Sequence, residues 1–251
     1  MTLESVLDAA SLVFVMGSLL SVAAVVRFRP SECRLVAEAA LPVGLAGFLI
    51  GVISMLAAES NPNQIAPAVA IAMLTLVYTG IVRLIFVDSL NQNLLGARSV
   101  MGKAAGTGGV IIMLIWATTS VSPDGLAMFW YPQVAMVMTG VALLIFLIGR
   151  LFDEGYAADW AKKILGLGWL GFSMGIVAAL SQLSTPTALG SALALSFLSL
   201  LYSTVAVIMG LIWIPQAMTS EKGSLSLGLD QILPIAVAVL AVLAGLTVSL
   251  Q

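Results

Sequence analysis

Six hydroxyl side chains stand out in an otherwise apolar chain: Thr75, Tyr78 and Thr79 on one stretch, Ser199, Tyr202 and Ser203 on another. If both stretches are helical, Thr75 and Thr79 share one face a turn apart, as do Ser199 and Ser203. Hydroxyls so placed inside a membrane do one of two things. They bond back to backbone carbonyls, or they line a polar path with ligands for water or an ion. The rest of the inventory narrows the chemistry. There is no histidine and a single cysteine, Cys33, so histidine relays, internal disulfides and cysteine clusters are excluded. A hydroxyl without a base is not a nucleophile at neutral pH, so neither an enzyme nor a cofactor or metal is expected. Arg83 lies about a turn inside an apolar stretch, with Asp88 five residues on. The two are expected to pair loosely, or to anchor the end of a span, and no carboxylate is expected mid-span.

The two hydroxyl stretches belong to a longer sentence that the chain says twice. Gly44-Leu-Ala-Gly47-Phe48-Leu-Ile-Gly51, then Pro62, then Leu74-Thr75-Leu76-Val-Tyr78-Thr79 is the first copy. Gly168-Trp-Leu-Gly171-Phe172-Ser-Met-Gly175, then Pro186, then Leu198-Ser199-Leu200-Leu-Tyr202-Ser203 is the second. The copies lie 124 residues apart without a gap and share 12 of 36 positions. Apolar bias alone does not align three glycines, a proline and a tyrosine, so the pattern reads as an internal duplication of a two-helix unit. Gly47-x-x-x-Gly51 and Gly171-x-x-x-Gly175 each place two glycines on one helix face, with Gly44 and Gly168 nearby. Such faces let another helix approach closely, whether from the same chain or from a sister subunit.

The surroundings of these residues follow from composition. The chain of 251 residues is 61% hydrophobic and 9% charged, against about 25% charged in a soluble domain. It reads as an all-α, polytopic transmembrane helix bundle. A crossing needs about 20 mostly apolar residues. Eight stretches qualify, roughly 6–27, 38–58, 65–87, 104–122, 130–150, 164–183, 188–214 and 231–250. The segment at 104–122 is the weakest, because Gly106, Gly108 and Gly109 loosen its start. Eight spans divide into two parallel four-helix repeats, 1–125 with its hairpin at 38–87 and 126–251 with its hairpin at 164–214. All 10 Lys and Arg fall in or beside alternate connections. The positive-inside rule then puts those connections in the cytoplasm and both termini outside.

At the hairpins the sequence resembles the MotA/TolQ/ExbB proton-channel family. Pro42-Val-Gly-Leu-Ala-Gly47-Phe-Leu-Ile-Gly51-Val-Ile-Ser-Met-Leu56 looks like the family's first pore helix. Ile65-Ala-Pro67-Ala-Val-Ala-Ile-Ala-Met-Leu74-Thr75-Leu-Val-Tyr78 looks like the next. The likeness covers about 45 residues per half. It implies a bacterial cytoplasmic (inner) membrane protein that assembles as a homo-oligomer around a single-span partner bearing an aspartate, with ion flow past that aspartate driving a load. It also implies that pore hydroxyls line the path. The pattern departs at Phe48 and Phe172, where the family has a pore threonine, and at Leu76 and Leu200, where it has the second of a threonine pair. An apolar side chain there removes a ligand from a buried ion. No loop is long enough for the rotor-engaging domain of a flagellar stator.

Three readings follow. The first is a duplicated subunit of this kind, either coupled to an ion gradient or kept as a scaffold without conduction. The second is a self-contained small-solute or ion transporter with its site between the halves near Thr75, Tyr78, Ser199 and Tyr202. The third is a membrane-embedded assembly factor. The lipid bilayer is a partner in all three, and nucleic acid in none.

Overall fold

The computed structural model describes residues 8–27, 33–57, 65–86, 99–121, 125–152, 160–180 and 186–213. They form seven α-helices: α1 (Ala9–Val25), α2 (Arg34–Ala57), α3 (Ile65–Ile85), α4 (Val100–Val121), α5 (Pro132–Phe152), α6 (Trp160–Leu180) and α7 (Pro186–Trp213). A 3-10 turn over Gly125–Phe129 leads into α5. Four helices are long and apolar enough to cross a bilayer, over Arg34–Leu56, Val100–Ser120, Trp160–Ala179 and Ala192–Trp213. Shorter apolar helices run over Ala9–Val25, Ala72–Ile85 and Pro132–Leu144. The architecture is that of a helical membrane protein. The expected span at 231–250, together with Pro62 and Asp88, lies outside the described residues.

Local chemistry sets several helix ends. Asp8 caps α1, its carboxylate accepting from the Ser11 amide at 2.7 Å. Pro132 and Pro186 open α5 and α7 at the first helical position, where a missing N–H costs nothing. At the far end of α1, Val26 and Arg27 donate to the Ala23 and Ala24 carbonyls, and Arg27 takes a left-handed φ of 53°.

The segment expected to start loosely near 104 is helical from Val100. Three of its glycines tighten it rather than loosen it, while Gly108 faces open space. Gly102, Gly106 and Gly109 recur at helical spacing and face α1. A Cβ at Gly102 would come within 3.0 Å of the Val25 carbonyl, and one at Gly106 within 3.0 Å of the Ser21 carbonyl. At Gly109 it would strike the Ser21 side chain. The absence of side chains lets α4 lie directly on α1.

α2 is the centre of the bundle. It packs on α3, α1 and α7, and Leu45, Phe48, Leu49, Ile50 and Ile53 are all buried. α7 packs on α6, α5 and α2, so the two halves meet chiefly where α2 lies on α7. α4 adds a second tie. The Trp213 indole N–H donates to Thr107 Oγ1 at 2.9 Å, and Lys103 Nζ donates to the Trp213 carbonyl at 3.2 Å. Lys103 thus serves an orphan carbonyl at the negative end of α7. Outward faces of α4 and α5 are apolar: Ile112, Met136, Val137, Leu143 and Leu147 are exposed. Surfaces of that kind suit hydrocarbon rather than water.

Candidate functional site

The glycines and hydroxyls singled out in the sequence meet along two seams, α2 with α3 and α6 with α7. The Thr75 hydroxyl lies 2.7 Å from the Ala72 carbonyl on its own helix and 3.0 Å from the Gly44 carbonyl across the seam. It donates back into its own turn and leans on its neighbour at once. Ser199 repeats the arrangement, 2.8 Å from the Ser196 carbonyl and 3.2 Å from the Gly168 carbonyl. Thr79 donates to the Thr75 and Leu76 carbonyls, and Ser203 to the Leu200 carbonyl. All four hydroxyl residues are buried.

The glycines explain why the helices approach so closely. A Cβ at Gly44 would strike the Thr79 side chain, and at Gly168 the Ser203 side chain. At Gly47 it would come within 3.0 Å of the Thr75 methyl, and at Gly171 within 2.8 Å of Ser199 Cβ. At Gly51 it would lie 2.7 Å from Ala72 Cβ, and at Gly175 2.7 Å from Ser196 Cβ. Each of the three glycines therefore faces the same partner position in both seams, 124 residues apart. The match reaches the preceding helices. Phe14 of α1 abuts Gly47, and Met138 of α5, also 124 residues later, lies nearest Gly171 from that side.

Both tyrosines reach the start of the first helix of their half. The Asp8 amide donates to Tyr78 Oη at 3.2 Å. The Tyr131 amide donates to Tyr202 Oη at 3.1 Å, and the Tyr202 hydroxyl donates to the Phe129 carbonyl at 2.6 Å. Asp8 and Tyr131 immediately precede α1 and α5, so each tyrosine takes an amide that a helix start leaves over. Tyr202→Phe should cost about 1–3 kcal/mol, since it removes the acceptor of one amide and the donor to one carbonyl. Tyr78→Phe, which removes the acceptor of the Asp8 amide, should lower stability as well. Equilibrium unfolding in mixed detergent micelles measures both.

Thr75, Tyr78 and Thr79 bond to α1, α2 and α3, whereas Ser199, Tyr202 and Ser203 bond to α6, α7 and the residues leading into α5. Arg83 sits half-buried in the last turn of α3. Phe48 and Phe172 point into the core, where Phe172 stacks against Trp169 at 5.3 Å and Phe197 at 5.0 Å. Trp160 lays its ring over Gly210 of α7.

Sequence reasoning missed Glu38. Its carboxylate accepts from Arg34 Nε at 2.8 Å, one helical turn earlier, with the Glu38 side chain 1% exposed and that of Arg34 19%. The signal was present as opposite charges at i and i+4 beside Ala37, Ala39, Ala40 and Leu41. The position 124 residues later is Lys162, which is exposed, so the likeness of the two stretches does not extend here. Among the described residues no group of three His, Cys, Asp or Glu could hold a metal ion.

Compared with family models, curated proteins and solved structures, the chain matches none. The kinship suggested by the hairpins rests on their own residues.

Proposed function

We propose that this chain is an integral membrane scaffold subunit, a tandem-duplicated relative of MotA/TolQ/ExbB proton-channel proteins that holds helices together and does not itself conduct. In this reading eight spans form two parallel four-helix repeats in a bacterial cytoplasmic membrane. Both termini lie outside, and the assembly contains further copies of the chain and a single-span partner. The observation that carries the proposal is the repeated seam. Thr75 with Gly44, and Ser199 with Gly168, use their hydroxyls as interhelical fasteners. Their protons go to carbonyls, their side chains are buried, and phenylalanines fill the positions where the family has a pore threonine. The transporter reading fares worse, because its four residues bond within separate halves.

Glu38 is the observation that favours coupling to an ion gradient instead, as a carboxylate buried within a membrane helix. Fasteners and path residues behave differently when combined. Thr75→Val and Ser199→Ala should each lower stability by about 0.6 kcal/mol, the average for a hydrogen bond between membrane helices. Because they act in separate seams, the double variant should lose the sum. Unfolding in mixed micelles reads all three. A double variant far from the sum would mean that the two sets share one site, and would overturn the fastener assignment.

A further inference from the structure

Three helices of each half meet in the same pairs. α2 packs on α3, and α1 on both; their counterparts, α6 on α7 and α5 on both, are all present. One partner breaks the correspondence. α4 packs along α1 and touches α2, whereas among the described residues no fourth helix packs on α5 as α4 does on α1. The contact made by α4 is specific. Met113 lies over Gly17, Gly109 over Ser21, and Gly106 and Gly102 over Val25. Numbers rise along α4 as they fall along α1, so the two run antiparallel. The positions 124 residues after Gly17 and Ser21 are Val141 and Ile145 of α5. On α5 itself Met138, nearest Gly171, is buried, while Val134 and Val141 on the matched face keep part of their surface open.

We infer that this chain's own segment 231–250 docks on the Val134–Val141 face of α5, as α4 docks on α1. The inference rests on the eight-span reading proposed above and adds the face that the last span meets. The chain beyond α7 suits the place in length, direction and shape. Residues 214–251 follow α7 and carry an apolar stretch over 231–250, and about 20 such residues cross a bilayer. Arg150, Lys162 and Lys163 follow α5, and Lys222 follows α7, so both helices end on the same side by the positive-inside rule. A segment that enters the membrane after Lys222 therefore runs antiparallel to α5, the sense in which α4 meets α1. The position 124 residues after Met113 is Val237. On a helix it shares one face with Ala241 and Ala244, four and seven residues on. Small residues on that face let a neighbouring helix come close, as Gly102, Gly106 and Gly109 do on α4.

Cysteine cross-linking of the full chain in membranes tests this, in a Cys33→Ser background. Val141→Cys is combined with Val237→Cys, or with Ala241→Cys one turn on. On oxidation at least one of these pairs should lose both thiols to alkylation at the mass of a single chain. The positive control is Gly17→Cys with Met113→Cys. Met113 Cγ lies 3.2 Å from a Cβ at Gly17, within reach of a disulfide, so this pair should form the same internal bond. If the control bond forms and both test pairs stay open to alkylation, residues 231–250 lie elsewhere and the inference fails. Covalent dimers from a test pair would put another copy's segment on α5, and would overturn it too. Absence of the control bond would remove the α1–α4 contact on which the match is built, and the inference with it. Gln251→Cys separates these failures from that of the eight-span reading. Labelling by an impermeant maleimide in intact cells keeps the last span, whereas labelling only after permeabilisation removes both the span and the inference.

Discussion

Replacing Gly44 by leucine should cost the folded protein at least about 3 kcal/mol, at or above the upper end of the usual overpacking penalty. The site cannot relax cheaply. A Cβ there strikes the Thr79 side chain and approaches the Thr75 carbonyl to 3.2 Å, so backbone must move and not only a side chain. Three further leucine atoms would have to enter a seam held by the Thr75–Gly44 contact. Gly168→Leu should behave alike, because its Cβ meets Ser203 Cβ at 2.7 Å and Leu200 Cα at 3.4 Å. Gly108→Leu is the control: a Cβ there meets nothing within 4 Å, and leucine favours the helix over glycine by roughly 0.5–1 kcal/mol. Unfolding in detergent–denaturant mixtures ranks the three. Equal stability of Gly44→Leu and the wild type would remove the seam from the account. The comparison also shows which force dominates: close packing at the glycines outweighs the hydroxyl bonds, worth about 0.6 kcal/mol each.

The second large effect is expected at Arg34. Arg34→Ala takes the guanidinium from a carboxylate whose side chain is 1% exposed, and breaking a buried pair costs about 3–5 kcal/mol. The exposure of Arg34 itself puts the loss nearer about 3 kcal/mol. Arg34→Leu combined with Glu38→Leu should recover a large part of it, since an apolar pair of similar volume avoids desolvating two charges. The same unfolding assay checks this. A double variant no better than Arg34→Ala would show that Glu38 matters for more than its partner.

The sequence carried the helices well, for physical reasons. Long apolar stretches announce themselves by length, and the expected segments at 38–58, 65–87 and 188–214 fall close to α2, α3 and α7. Two copies of one pattern marked the glycines and the hydroxyls, but only the structure shows that they meet. What stayed hidden depends on distance in the chain. Tyr78 and Tyr202 reach amides about seventy residues away, and nothing local in the sequence points to them. The glycines of α4 were misjudged because glycine both loosens an isolated helix and tightens a packed one, and only the Ser21 and Val25 contacts decide between the two. The α2–α7 contact was illegible for a deeper reason. In a soluble protein an apolar stripe marks the buried face. In a chain surrounded by hydrocarbon both faces are apolar, so Ala46 and Leu170 look alike although one is buried and the other open.

Proton flux is the most direct measurement of the central claim. The purified chain, reconstituted into liposomes with a pH-sensitive dye inside, would be driven by an imposed membrane potential. The account predicts a leak equal to that of protein-free liposomes, because the buried hydroxyls are bonded to carbonyls and Phe48 and Phe172 fill the core. A flux that rises with the amount of protein and falls in the Thr75→Ala, Ser199→Ala double variant would contradict it, and would put those hydroxyls on a conducting path.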